Sequence, residues 1–439
     1  MFRTFANPKA EKPHLFYLIS FAFIQIAGLR YTTYAMTNSL FLIFLIIATY
    51  TIGKHLKDRE TGLMAAAILS LYPPIYLYSR SYNLILPTTT MVTCSILALI
   101  ESDFFSKRYN SIICGIILGL GLLTKQSVLV FISGPLIYLA YITIRGQKKN
   151  NLNNLIICFA FTLLIALIYY YPLEYRIKDL IKLSTLKDNQ PIFFYISTLG
   201  NLSLSYYSIS LIALGLYYLL KKKQKERHIL FSWIILSMII LSIATTKRDR
   251  YIIPIMPALA IISAYGVTEL KWRKLKILIW IITLYFGLLY FFKFSFFVNS
   301  KLMKPDNISK YFIPKHTRYG NPIRLLKFNG LLLHLNNSNR NFVKIALIEE
   351  DGYSQWLRIF LTERGFRNVM FFEDHQEALE ADNDFIIFSS KESALDKTGI
   401  IGYELLYSKQ IIFDCRFDPI LKISIFLFKK TPWNKNDNI

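Results

Sequence analysis

The sequence predicts an α-helical polytopic membrane protein of about ten spans with a C-terminal soluble α/β domain. Composition is the first observation: of 439 residues, 54% are hydrophobic and only 18% are charged, whereas a soluble domain carries about 25% charged residues. Patterning is the second, because the apolar residues are gathered into runs of roughly 20, the length that a helix needs to cross a bilayer. After residue 298 these runs stop and short strand-like segments follow.

Each apolar run is predicted to be a helix, because backbone polar groups inside hydrocarbon must be paired internally and a helix pairs them unaided. The predicted spans are 34–53, 62–78, 84–101, 112–123, 127–144, 152–171, 206–220, 229–245, 251–269 and 275–298. The earlier apolar run, 15–28, is too short for a span. We expect it to be an interfacial helix on the outer face.

The basic residues indicate the orientation of the chain. Residues 1–297 contain 31 Lys and Arg against 11 Asp and Glu, whereas the rest contains 20 against 17. Charges distributed between apolar runs argue against nucleic-acid binding, which needs a basic patch on a soluble fold. Basic loops fall at every second connection, and the positive-inside rule places them in the cytoplasm. These loops are 54–59, 107–108, 145–149, 221–228 and 271–276.

The same rule predicts that the remaining connections and both termini face outward. In the C-terminal part, an amphipathic segment, 354–364, lies between two strand-like segments, 343–348 and 369–372. Strand, helix and strand at this spacing predict a small α/β unit with parallel strands. Further β structure is predicted at 385–389, 410–413 and 421–428.

Three segments of the predicted outer face carry candidate functional residues. The first, 71–83, breaks a helix at two prolines and emerges with Arg80 between Tyr78 and Tyr82. Tyrosines at this level are typical of the aromatic belt of a membrane protein. They also serve as stacking faces for sugars, and arginine offers a planar fork for phosphate. Both interpretations, belt and binding site, stay open.

The second segment, 115–125, has glycines four residues apart and ends at Lys125. Glycines at this spacing favour close packing of membrane helices. A lysine at the membrane boundary either snorkels to water or is functional. Lys125 is therefore a candidate for binding a lipid phosphate.

The third segment, 247–251, places three cations within four residues on the predicted outer side, followed by Tyr251. The positive-inside rule does not favour cations on the outer side of the membrane. Arg248 and Arg250 are accordingly candidates for an anionic ligand, with lipid headgroup contact as the alternative.

Metal ligands and carboxylates are sparse. The six histidines include no pair at helical spacing, and the cysteines form no CxxC motif. A divalent metal is therefore unsupported, and no cofactor is predicted with certainty. Few carboxylates lie in predicted outer segments, and Glu11, beside the interfacial helix, is the candidate general base.

Five segments resemble the GT-C membrane glycosyltransferases of the protein mannosyltransferase and aminoarabinose transferase type. They occur in the family's order, and the resemblance covers roughly residues 12–270. The segments are Lys-Pro-His-Leu-Phe-Tyr at 12–17, the helix and basic turn at 34–59, the alanine-rich helix at 65–73 with Ser-Arg at 79–80, Gly-Leu-Gly-Leu-Leu-Thr-Lys at 119–125, and Arg-Tyr-Ile-Ile-Pro at 250–254.

The resemblance implies a multi-pass protein of the plasma (inner) membrane that takes a sugar from a polyprenyl-phosphate donor. The acceptor would be a glycan, a lipid or a protein, and an acidic residue of the first outer loop would assist its attack. The resemblance makes Lys125, Arg80, Arg248 and Arg250 the candidates for donor phosphate. Tyr78, Tyr82 and Tyr251 are the candidates for sugar or lipid contact.

The sequence departs from the family at its start, where a first helix and the acidic part of the first outer loop should precede Lys12. We therefore expect a truncated chain or an inactive relative.

The sequence predicts a division of the chain into three parts. They are 1–33, a remnant of the outer juxtamembrane loop with the interfacial helix; 34–298, the bundle; and 299–439, a linker and an extracytoplasmic α/β domain. Two alternatives stay open: a transporter or flippase of lipid-linked saccharides, and a non-catalytic scaffold.

Overall fold

The computed structural model describes most of the helical part and the strands that follow it. The described residues are 15–28, 31–80, 82–146, 149–170, 191–199, 206–222, 227–244, 247–296, 335, 344–349, 368–372, 384–390, 403–413 and 421–430. The chain divides into two units, one comprising Met1–Ala22 and Ala35–Lys315 and the other Phe23–Tyr34 and His316–Ile439. Each unit is described by itself.

Helices account for nearly all of the described residues before residue 297. They are α1 (Leu15–Ala27), α2 (Tyr31–Leu56), α3 (Arg59–Leu71), α4 (Pro73–Ser79), α5 (Ile85–Glu101), α6 (Arg108–Thr124), α7 (Val128–Arg145), α8 (Lys149–Tyr170), α9 (Phe194–Thr198), α10 (Tyr206–Lys221), α11 (Arg227–Ile243), α12 (Met256–Glu269) and α13 (Arg273–Phe296). A 3-10 segment, Asp249–Ile255, precedes α12.

Helical structure occurs at each predicted span and at the predicted interfacial helix, which confirms the class of helical polytopic membrane protein. Among the residues that the structure describes, four segments are long and apolar enough to cross a membrane singly: Met36–Leu56, Val128–Arg145, Lys149–Ile168 and Arg250–Glu269. A bent pair, α3 with α4, would make a fifth. Several other apolar helices are shorter than 18 residues, so the number of about ten spans stays a prediction.

The run predicted as the span 62–78 consists of two helices that meet at an angle of 69°. Tyr72 is extended, with φ −70° and ψ 122°, and Pro73 and Pro74 open α4. A proline lacks the N–H that would continue the helix, and it disfavours helical geometry in the residue before it. The break therefore follows directly from the two prolines.

Ion pairs join three of the basic loops. Glu269, whose side chain is 7% exposed, pairs with Lys57 Nζ at 3.0 Å and also with Lys222. The hydrogen bond to Glu269 raises the pKa of Lys222. Lys276 Nζ donates to the Thr268 carbonyl at 2.8 Å. The connections after α2, α10 and α12 therefore meet at one end of the bundle.

Hydrogen bonds bring the other two basic loops to the same end. His55 Nε2 lies 2.6 Å from Glu101 Oε1. The Phe104 carbonyl accepts from Thr143 Oγ1 at 3.5 Å and from Asn151 Nδ2 at 3.1 Å. We call this end of the bundle the basic end; its described residues are 54–59, 101–108, 143–146, 149–151, 221–222, 227–228 and 269–276.

The second unit contains a five-stranded mixed sheet with the order β2-β1-β3-β5-β4. Its strands are β1 (Lys344–Glu349), β2 (Asn368–Phe372), β3 (Phe385–Ser390), β4 (Tyr403–Phe413) and β5 (Leu421–Lys430). β1 and β2 pair in parallel, as predicted for the strand-like segments 343–348 and 369–372, whereas the α/β unit as a whole stays a prediction. β4 begins earlier than predicted, because it pairs with β5 along its length. The predicted helix 354–364 lies outside the described residues.

Glycines allow helices of the bundle to approach closely, and two such pairs are α6 with α8 and α10 with α12. A Cβ added at Gly115 of α6 would overlap the Cys158 carbonyl of α8, and one at Gly119 would lie 2.7 Å from Ile165 Cβ. Between α10 and α12, a Cβ at Gly215 would overlap the Ile262 carbonyl. The helix packing predicted from the glycine spacing is therefore confirmed for Gly115 and Gly119.

We expect Gly115→Ala to lower the stability of the bundle by about 1–3 kcal/mol, because a backbone carbonyl cannot move aside as a side chain can. Thermal unfolding of the purified protein in detergent measures the effect. Gly121→Ala is the matched control, since the three atoms nearest to its Cβ would all belong to side chains, the closest being Val128 Cγ1 at 3.2 Å. An equal loss of stability in both variants would contradict the packing argument.

Candidate functional site

Lys125 and Arg250 lie around one tyrosine ring. Lys125 Nζ is 5.3 Å from the centroid of the Tyr251 ring, and Arg250 Cζ is 5.8 Å from the same centroid. Both distances lie within the range in which a cation is attracted to the face of an aromatic ring. The structure thus unites three of the predicted site residues, which come from segments more than 120 positions apart in the sequence.

Local structure accounts for this arrangement. Helix α6 ends at Thr124, and Lys125 follows in an extended conformation with φ −166° and ψ 134°. In the 3-10 segment, Ile252, Ile253 and Ile255 are all buried. These isoleucines fix the segment in the bundle, so Tyr251 is held beside the end of α6.

Lys247 and Arg248 lie immediately before this segment. The backbone N–H of Arg248 donates to Tyr195 Oη at 3.3 Å, and the Tyr195 ring of α9 is fully buried. The Lys247 side chain is buried, with 8% exposure. Lys247 was not among the predicted site residues. The segment that contains it, 247–251, was nevertheless singled out for its three cations, and that pattern could have led to Lys247.

Arg80 has a different aromatic partner. It caps the C-terminus of α4, and its Cζ lies 4.9 Å from the centroid of Phe291. Tyr76 contacts the same Phe291 ring edge to face, with centroids 5.3 Å apart. Arg80 is therefore positioned by α13, a helix that the sequence analysis did not connect with the site.

The predicted tyrosine contacts differ in exposure. The Tyr78 ring is buried, with 2% exposure. Tyr82 is half-buried, and its ring lies 4.8 Å from the Phe16 ring of α1, inclined by 30°. The candidate base Glu11 lies outside the described residues.

Asn38 supports the turn between α4 and α5 and was missed in the sequence. Its Nδ2 donates to the carbonyls of Tyr78 and Asn83, at 3.2 Å each. Asn83 Oδ1 in turn accepts from the Ile85 N–H at 2.9 Å. The signal was the polar triplet Thr37-Asn38-Ser39 inside the predicted span 34–53, since amides inside membrane proteins hydrogen-bond across helices.

Metal ligands do not gather in the described part of the chain. There, no group of three or more His, Cys, Asp and Glu side chains is arranged to hold an ion. The site is thus cationic and aromatic, and such a site can bind an anion that carries an apolar or sugar group.

A polytopic helical bundle with this cationic, aromatic site agrees with the comparisons with known proteins. Residues 10–173 match the model of the dolichyl-phosphate-mannose-protein mannosyltransferase family. An uncharacterized protein of Aquifex aeolicus (strain VF5) is 26% identical over 325 residues, which cover 69% of this chain and 64% of that protein. The chain thus spans slightly less than two thirds of that relative.

Solved structures share the fold. ArnT from Cupriavidus metallidurans bound to undecaprenyl phosphate matches with a TM-score of 0.64 and 11% identity, over 95% of this chain and 88% of that chain. The apo state of the same protein matches with a TM-score of 0.65 and 12% identity, over 95% and 87%. The resemblance to the GT-C membrane glycosyltransferases is therefore confirmed, and the chain has their fold.

We expect Asn38→Leu to lower the stability of the bundle by about 1–3 kcal/mol, because two carbonyls lose their amide donor. Thermal unfolding in detergent measures the loss. Met36→Leu is the control, since Met36 lies on the same helix and is 51% exposed. Equal stability of the two variants would show that Asn38 does not hold the turn.

Proposed function

We propose that this protein is a membrane glycosyltransferase that moves a sugar from a polyprenyl-phosphate donor to an acceptor on the outer face of the membrane. The observation that carries the proposal is the placement of Lys125 and Arg250 around Tyr251, in a chain with the fold of ArnT. The ArnT structure contains undecaprenyl phosphate. A polyprenyl phosphate of this kind is what remains of the proposed donor after its sugar has been transferred.

The position of this cluster within the bundle supports the proposal. Helix α6 starts at Arg108 in the basic end and runs for 17 residues to Thr124, which corresponds to about 25 Å. Helix α12 runs back and ends at Glu269 in the basic end. Lys125 and Arg250 therefore lie at the far end of both helices. If the basic end faces the cytoplasm, the cluster faces outward.

The chemistry needs two kinds of group. An acceptor hydroxyl attacks the anomeric carbon of the donor sugar, and the bond from that carbon to the phosphate oxygen breaks. The polyprenyl phosphate leaves with the electron pair, and Lys125 and Arg250 stabilise its developing charge. A carboxylate takes the hydroxyl proton. Glu11 remains our candidate for that base.

Several finer features belong to the same proposal. They are about ten spans, a plasma (inner) membrane location, an extracytoplasmic C-terminal α/β domain at 299–439, and a lipid, polysaccharide or protein acceptor. Arg80 and Arg248 complete the proposed phosphate-binding set. Tyr78, Tyr82 and Tyr251 would contact sugar or lipid.

One observation favours the transporter alternative. Helices α3 and α4 form a bent pair, and broken helices near the midplane are typical of transporters, where they occur in corresponding positions of two halves. In the portion of the chain that the structure describes, a single pair of this kind is found. A transporter would move the lipid-linked sugar without breaking its bond to phosphate, so a transfer assay separates the two functions.

We expect Lys125→Ala and Arg250→Ala each to slow sugar transfer about ten- to hundredfold, because a charged hydrogen bond to phosphate contributes roughly 1.5–3 kcal/mol. The assay follows release of undecaprenyl phosphate from a panel of undecaprenyl-phosphate hexoses and pentoses by the full chain in liposomes. Lys274→Ala, an exposed cation of the basic end, is the control. Unchanged rates in both site variants of an active protein would exclude this phosphate site.

Chemical labelling tests the sidedness of the cluster. In a variant without the native cysteines, Gln126→Cys should react with a membrane-impermeant maleimide in intact cells, because Gln126 adjoins Lys125. Lys274→Cys, from the basic end, should react only after lysis. The reverse pattern would exclude transfer on the outer face while leaving the transferase chemistry itself open.

A further inference from the structure

A polar cavity lies at the basic end, away from the proposed transfer site. It measures about 610 Å³ and lies between the first turns of α6 and α8. Its polar lining consists of Ser106, Arg108, Asn150, Asn153 and Asn154, and Ile156 continues the wall. Such a lining combines one permanent cation with three amides, each of which can donate hydrogen bonds.

The helix geometry makes this cavity attractive to anions. Helices α6 and α8 pack side by side, and both begin at the basic end. The first backbone N–H groups of a helix have no partner within the helix and carry a partial positive charge. At the start of α6, the N-cap residue is Lys107, and its side chain makes no capping hydrogen bond to these groups. Arg108 adds its full charge beside them.

The wall of the cavity is held firmly. Asp103, Phe104 and Phe105 have positive φ angles of 47°, 54° and 59°, a left-handed conformation that non-glycine residues rarely adopt. The buried Asn154 fixes the turn by donating Nδ2 to the Phe105 carbonyl at 2.8 Å. Asp103 is the nearby carboxylate, and it accepts from Ser106 Oγ at 3.3 Å.

An apolar stripe on α8 begins at the cavity. Ile156, Phe159, Leu163 and Leu167 follow one another at intervals of three or four residues, so they share one face of the helix. Their exposures are 60%, 42%, 61% and 51%. A cavity that carries an arginine and three amides, with an apolar stripe beside it, matches the two parts of a phospholipid.

We propose that the cavity binds the phosphate headgroup of an anionic phospholipid, whose acyl chains lie along this stripe. The site is distinct from the proposed transfer site, because it lies at the opposite end of α6. Charge complementarity selects an anionic lipid over a zwitterionic one, since the surrounding basic end carries a surplus of Lys and Arg.

Native mass spectrometry of the full chain in nonionic detergent tests the proposal. With phosphatidylglycerol and phosphatidylcholine added in equal amounts, we expect at least fivefold more bound phosphatidylglycerol. Arg108→Gln should abolish this preference. Arg273→Gln, a second exposed arginine of the basic end, should retain it. Equal binding of the two lipids, or an equal loss in both variants, would overturn the proposal.

A second pair of variants separates a lipid from a free anion. Leu163→Asn should weaken phosphatidylglycerol binding severalfold, whereas Ile137→Asn, at a 63% exposed position on α7, should not. Inorganic phosphate at equal concentration should fail to displace the lipid. Displacement by phosphate together with full binding in Leu163→Asn would identify a free-anion site and overturn the lipid assignment. Sugar transfer measured on the same samples reports separately on the proposed function.

Discussion

The close approach of α6 and α8 determines much of the rest of the molecule. Gly115 and Gly119 leave no room for a Cβ against α8, so the two helix backbones lie almost in contact. Thr162 Oγ1 of α8 donates to the Gly115 carbonyl at 3.1 Å, which adds a hydrogen bond to the same contact. Because α6 connects the basic end to Lys125, this packing sets the position of both proposed sites.

The two ends of the bundle use their charges differently. At the basic end, lysines of different loops share a carboxylate, as Lys57 and Lys222 do with Glu269. At the opposite end, Lys125 and Arg250 are arranged around an aromatic ring. The face of an aromatic ring attracts cations, so Tyr251 holds these two side chains close to each other.

The helices could be predicted from the sequence because hydrophobic length is a property of each segment alone. Likewise, the break between α3 and α4 could be predicted from the two prolines after Tyr72. The partner of Arg80 could not be predicted, since Phe291 is more than 200 residues away and their contact depends on how helices pack. The left-handed turn at 103–105 was also beyond prediction, because Asp-Phe-Phe has no intrinsic preference for it.

Only part of the candidate site could be predicted from the sequence. Lys125 was proposed from one motif and Arg250 and Tyr251 from another, and the structure places all three together. The amide bridge from Asn38 was missed, because a single polar residue in an apolar run reveals its role only when its partners are known. Lys247 was overlooked because burial of a cation depends on the surrounding helices.

The pairing of Glu269 with Lys57 and Lys222 has a consequence for biogenesis. If the basic end faces the cytoplasm, these lysines help to set the orientation of the loops during insertion, a choice to which acidic residues contribute little. Once the helices have assembled, the same lysines join three connections through one carboxylate. On that orientation, the same lysines first help to orient the loops and later hold three connections of the folded bundle together.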